Sequence, residues 1–175
     1  MKAPDFLLKR HNLVIGRFMN ANKLRSSPLI VLYKDARDTF KLTPRWNPLS
    51  FMKNDYEDKG NTVVDHATGL QWQKSGSSLL PYDGVQAYID DLNKNQFAGY
   101  DNWRLPTTEE LVSLIEPEKQ SNGLYLSTLF DQKQHMCWGA DHHKGYLWNV
   151  YFDKKRVFYD NRVTHYVRAV REVFY

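Results

Sequence analysis

The sequence has a single cysteine, Cys137, among its 175 residues. One cysteine cannot close a disulfide within the chain and is too few for a cysteine-based zinc site, so neither cross-link stabilises the fold. Long hydrophobic runs are also missing. The longest apolar stretch, residues 28–33, is far shorter than the roughly 20 residues that cross a bilayer. The sequence therefore predicts a chain without a membrane span, held together by side-chain packing.

A secretory signal is not visible in the first residues, because Asp5, Lys9, Arg10 and Arg17 interrupt every apolar run before a signal-peptide core could form. The sequence does not fix the compartment. It is consistent with a cytoplasmic chain or with export by a non-classical route, and with an extracellular chain if a leader has been removed. Internal repeats and low-complexity tracts are absent as well, so repeat architectures are not expected.

The composition is that of a globular protein, with 42% apolar and 25% charged residues. The net charge of +4 is unevenly distributed: residues 1–50 contain ten Lys or Arg and three acidic residues, whereas residues 51–175 contain fourteen and seventeen. We therefore predict a basic N-terminal extension, residues 1–58, for docking or oligomerisation, followed by a domain at 59–175. Nucleic acid is not an expected partner, because no nucleic-acid-binding motif accompanies the basic residues.

The apolar periodicity predicts two helices and several antiparallel strands, an α+β fold. One helix follows from the stripe of Val85, Tyr88, Ile89 and Leu92, and the second from a capping box formed by Thr107 and Glu110. Strands are predicted at residues 62–64 and 70–72, which form a hairpin, at 29–33, and along the last forty residues. The terminal strand could pair with the early hairpin.

Three ordered motifs carry a resemblance to a known family. They are Thr62–Gln73 (TVVDHATGLQWQ), Ala98–Thr107 (AGYDNWRLPT) and Tyr166–Arg171 (YVRAVR). Together they resemble the bacterial Lcl C-terminal domain family, also called domain-of-unknown-function family 1566, over about Thr62 to Arg171. The first 60 residues lie outside this resemblance.

The resemblance implies a fold and a function. The last two motifs are also similar to the formylglycine-generating enzyme and sulfatase-modifying families, which implies a C-type lectin-like fold. Members of the Lcl family are found as ligand-binding ends of bacterial surface proteins, among them a collagen-like adhesin that recognises sulfated host glycans, and as phage-associated or variable display domains, so the resemblance implies a binding function. One difference is that an aromatic-Trp-Ser-Ser segment of the family corresponds here to Cys137-Trp138-Gly139-Ala140. The cysteine pair of formylglycine-generating enzymes cannot exist in a chain with one cysteine.

Aromatic and basic residues gather near the C-terminal end, where rings could stack on sugars and cations could hold sulfate groups. The candidate ligand-binding residues are Trp138, His142, Tyr146, Lys154, Lys155, Arg156, Tyr159 and Arg162. The alternative is that the aromatic residues belong to the core and the lysines only solubilise a turn. A structural role in pinning loops and capping a helix is predicted for the residues of the motifs: Trp72, Trp103, Arg104, Pro106, Thr107, Glu110, Arg168 and Arg171.

Catalytic and metal-binding constellations are incomplete in the sequence. Cys137 has His135, His142 and His143 nearby, but a catalytic thiol needs an adjacent base and exposure, which proximity in sequence does not supply. Asp141 and the two following histidines do not form a full metal shell. We therefore expect no cofactor, no metal and no enzymatic activity. The expected function is recognition of a glycan, sulfated or unsulfated, or of a protein. The alternative is an accessory subunit of a larger assembly, docked through its N-terminal extension.

Overall fold

The fold is known from a computed structural model that describes residues 23–159 and 164–173. These residues form three α-helices and seven strands, with short 3-10 turns at Tyr82–Gly84 and Phe97–Gly99. None of the helices in this part of the chain has the length and apolar character that crossing a membrane requires. The elements are α1 (Tyr33–Thr39), β1 (Tyr56–Asp58), β2 (Thr62–Asp65), β3 (Leu70–Gln73), α2 (Val85–Lys94), α3 (Thr108–Ser113), β4 (Met136–His143), β5 (Tyr146–Tyr151), β6 (Arg156–Tyr159) and β7 (Val170–Glu172).

Two antiparallel sheets organise the chain. The first has the strand order β1-β2-β3-β7, and the second has the order β4-β5-β6. In the predicted hairpin, Val63 lies opposite Trp72, and Gly69 closes the turn with a φ of 72°, which favours glycine. The terminal strand pairs with this hairpin, with Leu70 opposite Glu172. The prediction of an α+β fold and of the terminal pairing is therefore confirmed.

Two apolar cores lie on opposite faces of the second sheet, because side chains alternate along a strand. Trp148 of β5 is fully buried in the first core, which both sheets, α1 and α3 share. Its neighbour Leu147 belongs to the second core, formed with the apolar stripe of α2. Val85, Ile89 and Leu92 of that stripe are buried, as the periodicity predicts, and Tyr88 is partly buried against the same core.

Helix α3 begins with the predicted capping box. The Thr107 hydroxyl accepts a hydrogen bond from the Glu110 backbone N–H at 3.2 Å, and the Glu110 carboxylate accepts one from the Thr107 N–H at 2.8 Å. Two of the amides that a helix start leaves unpaired are thus satisfied. The cap fixes the chain direction on both sides of the helix start.

The strand predicted at residues 29–33 is wrong. Only Ile30 forms a bridge, with His142, and the chain enters α1 at Tyr33, so the described residues contain three helices rather than two. The physical reason is that a single residue of the apolar run, Val31, is buried, whereas Ile30 is 81% exposed. A helix places Ala36 and Phe40, four residues apart, together in the core.

The N-terminal segment contributes to the first core. Val31, Ala36, Phe40 and Leu42 are each at most 5% exposed and pack with Trp148 and the residues around it. The domain boundary near residue 58 stays a prediction. Residues 1–22 of the predicted extension lie outside the described residues.

Candidate functional site

A groove of about 680 Å³ runs between helix α2 and strand β4. We call it the α2 groove. Its apolar lining comes from the edge of the second core and comprises Val85, Ile89, Trp103, Leu105 and Leu147. The remaining lining residues belong to α2 and the turn before it, namely Tyr82, Asp83, Gln86, Asp90 and Asn93, or to the other chain segments at the groove, namely Ser26, Pro28, Arg104, Ala140 and His142.

The polar wall follows from the periodicity of α2. Asp83, Gln86, Asp90 and Asn93 are spaced by three or four residues, so they lie along one side of the helix and the turn before it. The Gln86 amide donates to one Asp90 oxygen at 2.8 Å. Asn93 is held in place by two hydrogen bonds: its amide donates to the Trp103 carbonyl at 2.9 Å, and its oxygen accepts from the Trp103 N–H at 2.7 Å.

The charge of the groove is set by acidic residues. Arg104 is the only Lys or Arg among the described residues that line it, and its guanidinium is paired with Glu110 through contacts of 2.8 and 2.6 Å. Glu172 lies 3.9 Å from the same guanidinium. Within the described chain, the Asp83 carboxylate has no hydrogen-bond partner. Asp83 and Asp90 therefore leave the groove with uncompensated negative charge.

An ion pair holds the wall opposite α2. Asp141 is fully buried, and its two oxygens accept from Arg25 at 2.9 and 3.1 Å. The same carboxylate accepts from the N–H of Leu29 at 2.8 Å and from the N–H of Thr108 at 2.8 Å. Asp141 thus fixes residues 25–29 against β4 and the start of α3, which positions Ser26 and Pro28 at the groove.

An aromatic residue lies at the groove and remains open to solvent. Tyr82 is 48% exposed, and its ring contacts those of His142 and Trp138 with centroid distances of 6.5 and 6.4 Å. An exposed phenol held by neighbouring rings offers both an apolar face and a polar hydroxyl to a ligand. Sequence reasoning missed Tyr82 and the acidic wall, although the polar side of the α2 periodicity is visible in the sequence.

The ligand-binding candidates from the sequence are not brought together in one surface. Trp138 is 3% exposed; its indole N–H donates to the Leu80 carbonyl at 3.0 Å, and its ring stacks near His165 at 4.3 Å. His142 lines the α2 groove, whereas Tyr146, 43% exposed, begins β5 outside it. The aromatic half of the predicted surface is thus divided between a core and two separate exposed positions.

The basic half of the predicted surface lies at the β5–β6 turn, away from the residues that line the α2 groove. Lys154 and Arg156 are exposed, but the Lys155 ammonium donates to the Pro117 carbonyl at 2.8 Å and lies 4.6 Å from the Tyr125 ring. Tyr159 is half-buried and packs 5.2 Å from the Trp148 ring. Arg162 lies outside the described residues.

The residues of the motifs that are predicted to be structural are buried, except Arg104, whose side chain is 28% exposed. Trp72 and Trp103 are almost fully buried, and the Pro106 carbonyl accepts from the Ala140 N–H at 2.8 Å. Arg168 is fully buried and donates to the carbonyls of Gln73, Lys74 and Asp131. Burial lowers the pKa of its guanidinium. Arg171 donates to Asn102 at 2.7 Å and lies over the Tyr100 ring.

The segment Cys137–Ala140 explains why this chain differs from the resembled family there. A Cβ atom at Gly139 would lie 2.9 Å from the Thr108 hydroxyl and 3.0 Å from the Trp148 carbonyl, so a serine would require the neighbours to shift. Cys137 is fully buried, and burial raises the pKa of its thiol to about 11. A thiol in this environment is neutral near pH 7 and is not poised as a nucleophile.

The geometry describes an α+β domain with two antiparallel sheets and an open polar groove beside one helix. A comparison with known protein families matches the Lcl C-terminal domain over residues 61–171. Because this match spans more than half of the sequence, the chain belongs to the Lcl C-terminal domain family. Comparisons with curated proteins and with solved structures gave no match. Most of the α2 groove lies within the matched range, and Ser26 and Pro28 come from outside it.

Proposed function

We propose that this chain is a recognition domain that binds a ligand and does not catalyse a reaction. The observation that carries the proposal is the α2 groove, with its volume of about 680 Å³, its apolar floor, the exposed Tyr82 ring and the free Asp83 carboxylate. Ligand sites of this size combine an apolar lining with a few polar groups that orient the ligand. The ligand class is a glycan, sulfated or unsulfated, with a protein as the other class to be tested.

The proposal includes the C-type lectin-like fold that the sequence resemblance implies. It is supported by the way in which β7 returns to pair with β3 of the early hairpin, so that the sheets and helices between them form one closed unit. Fold alone does not assign a ligand, because one fold hosts many functions. The argument for binding therefore rests on the groove and its side chains.

The direct test is binding of the full chain to an array of neutral, sulfated and sialylated glycans, followed by titration calorimetry with the best ligand. Two tyrosines of similar exposure serve as a matched pair. Tyr82→Ala should weaken binding at least tenfold, whereas Tyr146→Ala should leave it unchanged, since Tyr146 is 43% exposed but lies outside the groove. Loss of binding only in Tyr146→Ala would move the site to the β4–β5 hairpin. Absence of binding to every glycan would overturn the glycan proposal.

A second candidate function is that of an accessory subunit. It is favoured by a run of exposed apolar side chains, Leu29, Ile30, Leu32 and Tyr33, which are 41%, 81%, 40% and 47% exposed. Apolar residues adjacent on a surface are typical of protein contacts. Size-exclusion chromatography with light scattering of the full chain from native extract tests this candidate. A different protein that co-purifies with the chain and is lost in Ile30→Glu would support it, and a free monomer or small homo-oligomer would oppose it.

A further inference from the structure

Two of the side chains that line the α2 groove, Asp83 and Asp90, are acidic, and their charges have no cationic partner among the described residues. Resting on the proposed recognition function, we infer that the groove selects an uncharged saccharide, whose hydroxyl groups donate hydrogen bonds, and discriminates against sulfated glycans. The inference depends on which polar atoms of the lining are still available to a ligand. It concerns the class of ligand, and the recognition function does not depend on it.

The available acceptors belong to the α2 side of the groove. Both oxygens of Asp83 are unpaired within the described part of the chain, and Asp90 uses only its Oδ1 atom, for the Gln86 amide. Ionised carboxylates accept hydrogen bonds and cannot donate them. Sugar hydroxyl groups can donate to such oxygens, and neighbouring hydroxyls can share one carboxylate. A sulfate group has no proton to donate and brings a second negative charge.

The one guanidinium among the described lining residues is already paired, and one Asn93 N–H is used as well. The Arg104 guanidinium is held by Glu110 through two contacts of 2.8 and 2.6 Å, and the Asn93 amide donates to the Trp103 carbonyl. A sulfate at the groove would therefore meet the charges of Asp83 and Asp90 without a free guanidinium or ammonium among the described lining residues to offset them. Like charges placed together at an interface repel each other, which lowers the affinity for a negatively charged ligand relative to a neutral one.

The remaining surface suits the ring of a sugar. Tyr82 offers an exposed aromatic face, and Leu105 and Ile89 contribute apolar lining. The C–H face of a pyranose packs on an aromatic ring while its hydroxyls point to the rim, where the carboxylates lie. The β5–β6 turn is basic instead, because Lys154 and Arg156 are exposed there. It is the alternative binding surface for a sulfated ligand.

The test compares a neutral oligosaccharide with its own sulfated derivative, using the full chain in titration calorimetry at 150 mM salt. The neutral ligand is the best neutral binder found on the array. We expect the sulfated derivative to bind at least tenfold more weakly. The double variant Asp83→Asn, Asp90→Asn should bind the sulfated derivative more tightly and reduce this preference. The matched control, Asp35→Asn with Asp38→Asn, changes the net charge equally on the exposed side of α1 and should keep the preference.

The outcomes separate this inference from the function on which it rests. Tighter binding of the sulfated derivative, unchanged by the Asp83 and Asp90 substitutions, would overturn the inference and leave glycan recognition intact. If that binding were lost in Lys154→Glu with Arg156→Glu, the ligand surface would be the β5–β6 turn. Absence of binding to any glycan would overturn the glycan proposal and the inference together. An equal loss of preference in the Asp35, Asp38 control would also overturn the inference, because the effect would then be one of net charge.

Discussion

Arg25 and Asp141, which are 116 residues apart in the chain, form a two-pronged ion pair with contacts of 2.9 and 3.1 Å. The Asp141 carboxylate is fully buried, whereas the Arg25 side chain is 22% exposed. The pair fixes the segment that supplies Ser26 and Pro28 to the α2 groove. Stability and the shape of the groove are therefore linked through one carboxylate.

The first prediction concerns that carboxylate. Asp141→Asn preserves the size of the side chain but removes the charge opposite Arg25 and one acceptor for the N–H groups of Leu29 and Thr108. We expect the free energy of unfolding to fall by about 2 kcal/mol, less than for a wholly buried pair because Arg25 is partly exposed. Urea unfolding followed by tryptophan fluorescence measures this loss. The control Asp38→Asn, on the exposed side of α1, should change stability by less than about 0.5 kcal/mol. Equal unfolding midpoints for the two variants would contradict the prediction.

The second prediction concerns the N-terminal segment. A chain that lacks residues 1–55 loses Val31, Phe40 and Leu42 from the first core. Burial of each such side chain contributes about 1.5 to 3 kcal/mol, so the sum approaches the entire stability of an ordinary domain. We expect the shortened chain to lack a cooperative unfolding transition in calorimetry.

Two point variants test whether buried side chains of the deleted segment, rather than its length, account for the loss of stability. Phe40→Ala should lower the free energy of unfolding by about 3 kcal/mol, and Leu49→Ala, at a residue that is 64% exposed, should have almost no effect. A cooperative transition in the shortened chain at close to full stability would instead support the boundary at residue 58 that the sequence predicts. The two results are readily told apart, because calorimetry reports both the midpoint and the enthalpy.

The third prediction concerns the pH dependence that Cys137 introduces. Burial raises the pKa of its thiol from an ordinary value of 9.0 to about 11 in the folded chain. The neutral thiol therefore favours the folded state fully below pH 9, and this contribution is lost as the pH rises towards 11. Cys137→Ala should be less stable than the unchanged chain by about 1 kcal/mol at pH 7. Because a shift of about two pKa units corresponds to roughly 3 kcal/mol, this difference should shrink above pH 9 and reverse in sign before pH 11.

The measurement for Cys137 is urea unfolding of both chains at several pH values. Tyr56 and Tyr88, whose pKa values burial also raises, titrate in both chains, so their effect cancels in the difference. A difference that stays constant from pH 7 to pH 11 would show that the thiol is not buried as described. Loss of ligand binding in a fully folded Cys137→Ala variant would reopen a functional role for the thiol.

The fourth prediction separates two neighbouring lysines. Lys155 donates to the Pro117 carbonyl and lies over the rings of Tyr125 and Phe51, whereas Lys154 is exposed and, among the described residues, contacts the Tyr151 ring alone, at 5.2 Å. Lys155→Glu should therefore lower the free energy of unfolding by about 1 kcal/mol, and Lys154→Glu by about 0.5 kcal/mol or less. Thermal unfolding by circular dichroism compares them. Equal melting temperatures would mean that the Lys155 contacts contribute nothing.

Local features of the fold could be predicted from the sequence because their partners are near in the chain. Thr107 and Glu110 satisfy each other across one helical turn, and Val85, Ile89 and Leu92 define their stripe by spacing alone. The Leu29–Tyr33 run was predicted wrongly because apolar residues favour a strand only if a neighbouring strand covers them, and that depends on the tertiary fold.

The site was harder to predict because its contacts are distant in the chain. The sequence places Asp141 beside His142 and His143, an incomplete set of metal ligands, and indicates no other partner for the Asp141 carboxylate. Alternation along β4 separates neighbouring side chains onto opposite faces. The partners of Asp141 are residues 25, 29 and 108, and none of them is marked by a local pattern. Of the residues that line the groove, the sequence periodicity indicates only those on the polar side of α2.

The distance between Arg25 and Asp141 along the chain has a consequence during synthesis. At the usual rates of translation, about 5 to 20 residues per second, Arg25 leaves the ribosome roughly ten seconds before its partner exists. Throughout that interval Leu29, Ile30 and Val31 have no strand β4 to lie against. The nascent chain thus carries an apolar segment with open backbone groups, and we expect chaperones that hold extended apolar peptides to bind it until β4 emerges.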